Sequence, residues 1–197
     1  MAVVTLTSGG LDSTLMALLV KEEGIQQHPL FINYGQLNCA REYAACTRNF
    51  EEHSLPTPTV MDISGYGKLV RCGLTDADLD VFNAAFLPGR NAMFLLMGAS
   101  YACSIGASAV AIGLLNEDRA LFPDQTSEFV RHMEELLNKV MRTRITVITP
   151  FIKMDKEMIY TEAKRFGLQG TYSCHRGDEA PCGVCIACRE YSFLGGP

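Results

Sequence analysis

The sequence predicts a doubly wound α/β domain, with about five parallel strands and helices on both faces, followed by a four-cysteine loop. Three observations predict it. Short β-branched and apolar runs alternate with helical stretches over residues 1–170. The first run, Ala2 to Thr7, empties into Ser8-Gly9-Gly10-Leu11-Asp12-Ser13, a tight turn leading into a helix. Residues 171–197, read as a segment packed on the same domain, carry Cys174, Cys182, Cys185 and Cys188.

Ala2–Thr7 is apolar or β-branched throughout, as a strand buried on both faces requires. Helical spacing of Leu15, Leu18 and Leu19 follows, and Gly24 is a C-cap. His28–Asn33 reads as the second strand and ends in Tyr34-Gly35-Gln36, at the edge where open α/β sheets place ligands. Asn38–Glu52 is helical, and Thr57–Asp62 is the third strand. Ile63–Pro88 has no clean period. It is a loop or lid, or a surface excursion, with a short helix near Asp76–Phe82. Leu87-Pro88-Gly89-Arg90-Asn91 precedes an apolar helix, Ala92–Ile105. Ala107–Gly113 is the fourth strand, followed by the loop Leu114–Asp118. Pro123 and Asp124 open an amphipathic helix to about Met141. Arg144–Thr149 is the fifth strand, and Pro150 stops it. Asp155 caps a helix from Lys156 to about Phe166, with Gly167 behind it.

Bulk properties narrow the function. At 197 residues and 48% hydrophobic, the chain is long enough for a sizeable core. A formal net charge of −5 argues against a protein that grips nucleic acid by its phosphates, so no direct nucleic-acid partner is expected. No apolar run reaches membrane-spanning length, and the first residues form a core strand rather than a signal peptide. The expectation is a cytoplasmic protein.

A strand, a glycine turn and a helix N-terminus converge unpaired N–H groups on one point, which makes an anion site. The turn matches neither the G-x-x-x-x-G-K-[ST] loop nor G-x-G-x-x-G. It resembles instead the pyrophosphate loop of the ATP pyrophosphatases, whose Rossmann-like fold the alternation of elements fits; an ordinary βα turn is the bland alternative. At the other end, the spacing Cys174-x7-Cys182-x2-Cys185-x2-Cys188 supplies four thiolates on one loop. In a reducing compartment that clustering points to metal rather than disulfides. Four sulfurs close a tetrahedral zinc shell, a structural site; an iron–sulfur cluster is the rival and a redox dithiol a weaker one. His175 neighbours a ligand but reads as a loop residue. Cys39, Cys46, Cys72 and Cys103 read as buried free thiols.

Together these features resemble the 7-cyano-7-deazaguanine synthase family of the queuosine pathway nearly end to end. The resemblance rests on Ser8–Ser13, Tyr34-Gly35-Gln36, Pro88-Gly89-Arg90-Asn91, Pro123-Asp124 with Glu128-Phe129, Thr149-Pro150-Phe151 with Lys156, and Ser173-Cys174 to Cys188. It implies an ATP-dependent carbon–nitrogen ligase. The carboxylate of 7-carboxy-7-deazaguanine is adenylated with release of pyrophosphate. Ammonia then displaces AMP to give the amide, and a second ATP activates the amide for dehydration to the nitrile.

The resemblance further implies a homodimer and these residue roles. Ser8, Gly9, Gly10, Leu11, Asp12 and Ser13 form the nucleotide loop, with Asp12 holding Mg2+ beside ATP or serving only as a helix N-terminal acid. Lys156 contacts phosphate or is a solvated first-turn lysine. Arg90 pairs phosphate or the substrate carboxylate, and Asp12, Ser13, Lys156 and Arg90 carry the chemistry. Tyr34, Gln36, Asn91, Asp118 and Asp124 lie on the substrate side, where Asp118 and Asp124 read a guanine-like edge; helix capping is the alternative for Asp124.

The sequence departs from the family pattern in two loops. Asp118-Arg119-Ala120-Leu121-Phe122-Pro123-Asp124-Gln125-Thr126 stands where relatives carry Asp-Tyr-Ser-Gly-Tyr-Pro-Asp-Cys-Arg, and Leu37-Asn38 replaces the usual Arg-His. A ligase that adenylates a deazapurine or other carboxylate and stops at the amide is therefore the enzymatic alternative. A zinc-ribbon binding module with a vestigial loop is the non-enzymatic one.

Overall fold

The computed structural model describes residues 2–194. Its elements run β1 (Ala2–Thr7), α1 (Leu11–Glu22), β2 (Gln26–Asn33), α2 (Cys39–Glu52), β3 (Thr59–Asp62), α3 (Gly65–Leu69), α4 (Arg90–Ile105), β4 (Ala109–Ala111), α5 (Ser127–Val140), β5 (Thr146–Ile148), α6 (Lys156–Arg165) and α7 (Ile186–Arg189). The five strands form one sheet in the order β3-β2-β1-β4-β5, with every pair parallel. The chain steps outward from β1 through β2 to β3 and then returns to β1's other side for β4. The crevice therefore opens at the carboxyl ends of β1 and β4.

Alternation along the strands divides the core into two layers. Val4 and Leu6 of β1, Leu30 and Ile32 of β2 and Val110 of β4 pack on one side with Leu95, Ala99 and Ala102 of α4 and Leu137 of α5. Val3, Phe31, Ala109 and Ala111 face the other way, onto Leu15 and Leu18 of α1, Cys46 and Phe50 of α2, and Ile159 and Ala163 of α6. The small residues of α4 let it lie close to the sheet: a β-carbon added at Gly98 would sit 2.8 Å from a Val110 methyl. At the β5 edge, side chains of α5 occupy backbone groups that no strand pairs. Glu134 accepts the Val147 N–H at 2.7 Å, and Asn138 accepts from Ile145 N–H at 2.9 Å.

Several boundaries differ from the sequence expectation. The helix expected at Asp76–Phe82 is a run of turns, because Asp76 and Asp80 turn their carboxylates onto the N–H groups of Asp78 and Phe82, both at 3.0 Å. The helix in that region is α3, a glycine-rich stretch of poor propensity that tertiary contact holds: Gly67 N–H donates to the Tyr34 carbonyl at 2.9 Å. Helix α5 starts at Ser127, capped by Thr126, whose hydroxyl accepts the Phe129 N–H at 3.1 Å; Pro123–Gln125 is a separate 3-10 turn. Strands β3, β4 and β5 are shorter than their apolar runs, and β3, mostly exposed, is an edge. Cys46 and Cys72 are buried, whereas Cys39 and Cys103 are partly exposed.

Gly9 has φ +80, and an added β-carbon would collide with the Glu42 carbonyl oxygen and sit 2.8 Å from the Cys46 nitrogen of α2. Gly24, at φ +66, faces open space. Gly24→Ala should therefore cost about 1 kcal/mol, for backbone conformation alone. Gly9→Ala should cost about 3 kcal/mol or more, because the helix must also move. Urea unfolding of the two variants checks this; equal losses would contradict the close approach of α2 to the turn.

Candidate functional site

The turn after β1 is held by its own hydroxyls. Ser13 Oγ accepts the Ser8 N–H at 3.1 Å and lies 3.1 Å from Ser8 Oγ, while Thr14 Oγ1 donates to the Gly10 carbonyl at 2.8 Å. Gly10 is the N-cap of α1 and, lacking a side chain, leaves the first-turn N–H groups uncapped. Those donors and the helix dipole suit this turn to an anion. Leu11, by contrast, points into the core.

Asp12, in that first turn, meets Lys156 from the start of α6. Lys156 Nζ lies 2.9 and 2.8 Å from the two Asp12 oxygens and 3.0 Å from Glu190, with the Tyr191 ring 5.0 Å away. Burial opposes the ammonium charge, but Asp12 and then Glu190 outweigh it and hold Lys156 above the ordinary lysine range. The cation is fixed at the mouth of α1, between the Asp12 and Glu190 carboxylates. The exit of β4 borders the same point, since a β-carbon at Gly113 would lie 3.4 Å from that of Asp12.

A second group gathers at the end of β2. Burial pushes Tyr34 up to about 12. Arg90, at the start of α4, is held above the ordinary arginine range: burial opposes its charge, but Tyr34, and then Asp124 and Glu42, outweigh it. Gln36 is spent inside the protein: its Oε1 accepts the Tyr34 N–H at 2.9 Å and its Nε2 donates to Glu42 at 3.1 Å. Asn38 Nδ2 donates to the other Glu42 oxygen at 3.0 Å. Asp124 accepts the Asn91 N–H at 3.0 Å, and Asn91 Nδ2 donates to the Asp124 carbonyl at 2.8 Å. Asp124 thus caps α4 from outside that helix, and Asn91 is the other half of the clasp. Asp118 lies exposed in a 3-10 turn opened by Asn116, whose side chain accepts the Asp118 N–H at 3.0 Å.

The four cysteines converge, their sulfur atoms all within 4.8 Å of one another. Backbone N–H groups of Cys185 and Cys188 point at the sulfurs of Cys182 and Cys185, both at 3.4 Å, which favours thiolates. The set can hold a metal ion. This segment is tied to both other groups. Tyr172 N–H donates to the Gly9 carbonyl at 3.0 Å, and Asn38 Nδ2 to the Cys174 carbonyl at 2.9 Å. His175 lies in the site rather than on a bystander loop. Its Nδ1 is buried without a partner, and burial, with the Arg90 and Lys156 cations, lowers its pKa to about 4.

The sequence reading missed Glu42, Glu190, Tyr191 and this placement of His175. The one local signal was Glu42, four residues after Asn38 on a helix face. Burial is the main cause that pushes the Glu42 carboxyl up to about 7. Its native pKa exceeds its unfolded value, so its native state holds a proton that the unfolded chain releases as pH rises from about 4.5 to 7, and stability falls across that window. Glu42→Gln should remove that slope. Relative to the variant, the native chain should lose about 1–3 kcal/mol between pH 4.5 and 7.5, read from urea midpoints. Parallel pH curves would contradict the shift.

Comparison with known proteins identifies the family. A family model described as "Queuosine biosynthesis protein QueC" matches residues 2–193. The 7-cyano-7-deazaguanine synthase of Aliarcobacter butzleri is 33% identical over 94% of this chain and 87% of its own. That of Alteromonas mediterranea is 33% identical over 95% and 90%. Among solved structures, a predicted subunit of a tRNA methyltransferase from Methanocaldococcus jannaschii aligns at TM-score 0.59 and 19% identity, covering 100% of this chain and 89% of that one. The U34-tRNA thiolase NcsA of Methanococcus maripaludis, solved with its [4Fe-4S] cluster, aligns at TM-score 0.61 and 16% identity over 99% and 64%. These two share the fold. The family match and the synthase relatives go further: the chain belongs to the QueC family of queuosine biosynthesis.

Proposed function

We propose that this protein uses ATP to convert 7-carboxy-7-deazaguanine and ammonia into 7-cyano-7-deazaguanine, through an acyl-adenylate and an amide. One observation carries the reading. In a chain of this family, Asp12 and Lys156 meet in direct contact at the uncapped N-terminus of α1, beside a hydroxyl-lined glycine turn. That is a place for phosphate charge.

A carboxylate is a poor electrophile, and adenylation replaces its bad leaving group with AMP. The work left to the protein is positioning and charge stabilisation. The first-turn N–H groups of α1 and the hydroxyls of Ser8 and Ser13 hold pyrophosphate oxygens. Lys156 turns from Asp12 toward the charge that develops as the α-phosphorus bond breaks. Asp12 is the residue suited to Mg2+, which neutralises phosphate charge when bound with ATP. Arg90 orients the substrate carboxylate. Exposed Asp118 is the candidate for the donor edge of the base, while Asp124 and Asn91 fix the helix that presents Arg90.

The cysteine set suits a single structural zinc. Sulfurs bound tetrahedrally at about 2.3 Å to one ion lie roughly 3.8 Å apart, which the observed spacing admits. Thiolates on the separate irons of a [4Fe-4S] cube stand farther apart.

Incubation with ATP, ammonium and 7-carboxy-7-deazaguanine, read by mass spectrometry, should yield the nitrile. Product that stops at the amide would contradict the second activation. Asp12→Ala should keep the fold and lower pyrophosphate release at least about 100-fold. A folded variant with near-normal release would remove Asp12 from the chemistry. Elemental analysis should find one zinc per chain; iron, or less than half an equivalent of zinc, would contradict the structural site.

A further inference from the structure

Glu42 has no part in the adenylation chemistry. It stands in the first turn of α2, and its backbone carbonyl lies against Gly9 of the nucleotide turn. Its two carboxylate oxygens are held one each, by Gln36 Nε2 at 3.1 Å and Asn38 Nδ2 at 3.0 Å. Gln36 is in turn locked by the Tyr34 N–H, and Asn38 by the Cys174 carbonyl. Three elements thus fix one carboxylate. A hydrogen-bonded carboxylate oxygen still has an open lone pair, so an incoming N–H has an acceptor on either atom.

Among the described residues, no lysine, arginine or histidine stands within ion-pair distance of Glu42. The groups that face it are Arg90 of α4, Tyr34 after β2, and Cys39 and Cys46 of its own helix. Arg90 is beyond ion-pair distance, so its attraction offsets only part of the cost of desolvating the carboxylate, and such groups cluster where proton transfer is needed. Burial raises Glu42 to about 7, where a carboxylate both accepts and returns a proton at neutral pH.

We propose that Glu42 is the general base that takes the proton from ammonia as it attacks the acyl-adenylate. The proposal rests on the adenylation reading above and adds the residue for its nitrogen step. The ammonia lone pair forms the C–N bond while the carbonyl π pair moves onto oxygen. An N–H proton passes to the Glu42 carboxylate. The oxygen pair then re-forms the carbonyl, the C–O bond to phosphate breaks, and AMP leaves with that electron pair. Protonated Glu42 returns its proton to water. Gln36 and Asn38 are positioning residues for this base.

Single-turnover kinetics of Glu42→Gln separate the two chemical steps. Carboxylate-dependent pyrophosphate release should stay within about threefold of the native protein, while amide formation falls about 100- to 10,000-fold and acyl-adenylate accumulates. Hydroxylamine, a nucleophile that depends less on a base, should narrow the deficit to within about tenfold. Equal losses in both steps, or undiminished amide formation, would overturn the role of Glu42. Should Glu42→Gln not fold, Glu42→Asp keeps a displaced carboxylate. It should slow amide formation at least about tenfold and leave adenylation unchanged, with parallel losses again overturning the proposal. Absence of pyrophosphate release from the native protein would overturn the adenylation reading itself, and this step with it.

Discussion

Lys156 holds the site together. An ammonium taken out of water must find opposite charge or lose its proton. Here it finds Asp12 from the turn after β1 and Glu190 from the C-terminal segment. One cation at the start of α6 therefore joins three pieces of chain that are far apart in sequence. Asp12 and Glu190 together carry more negative charge than Lys156 can balance.

The C-terminal segment has almost no apolar core of its own; its cluster centres on Val81, Cys174, Cys185 and Ala187. A chain of that composition needs a cross-link to hold a fixed shape, and a metal on four thiolates provides one. What is held matters for the rest. Tyr172 bonds the Gly9 carbonyl, Cys174 bonds Asn38, and Glu190 reaches Lys156. The segment is bonded to the turn after β1 and, through Asn38, to the group that holds Glu42.

Legibility in the sequence followed locality. The first strand, the glycine turn and the Asp155 cap of α6 could be read because each is decided by neighbours a few residues away; Asp155 accepts the Met158 N–H at 2.9 Å as such a cap should. Helix α3 could not, since Gly65-Tyr66-Gly67 has poor propensity and is shaped by contact with Tyr34. Gln36, Asn91 and Asp124 were found by pattern, yet their side-chain bonds run to other protein groups. A sequence motif marks the neighbourhood of a site without separating residues that touch a ligand from those that brace them. Glu42 shows the converse. A glutamate on a polar helix face is written identically whether it meets water or a shielded crevice, and only the placement of Gln36, Asn38 and Arg90 around it distinguishes the two.

In the proposed reaction a carboxylate, and then an amide, attacks the α-phosphorus of ATP at the turn after β1. The most direct measurement follows the substrate oxygens. With 7-carboxy-7-deazaguanine labelled with oxygen-18 at both carboxylate positions, each of the two AMP molecules formed per nitrile should carry one labelled oxygen, with none in pyrophosphate. Label in pyrophosphate or inorganic phosphate, or AMP without label, would contradict the account.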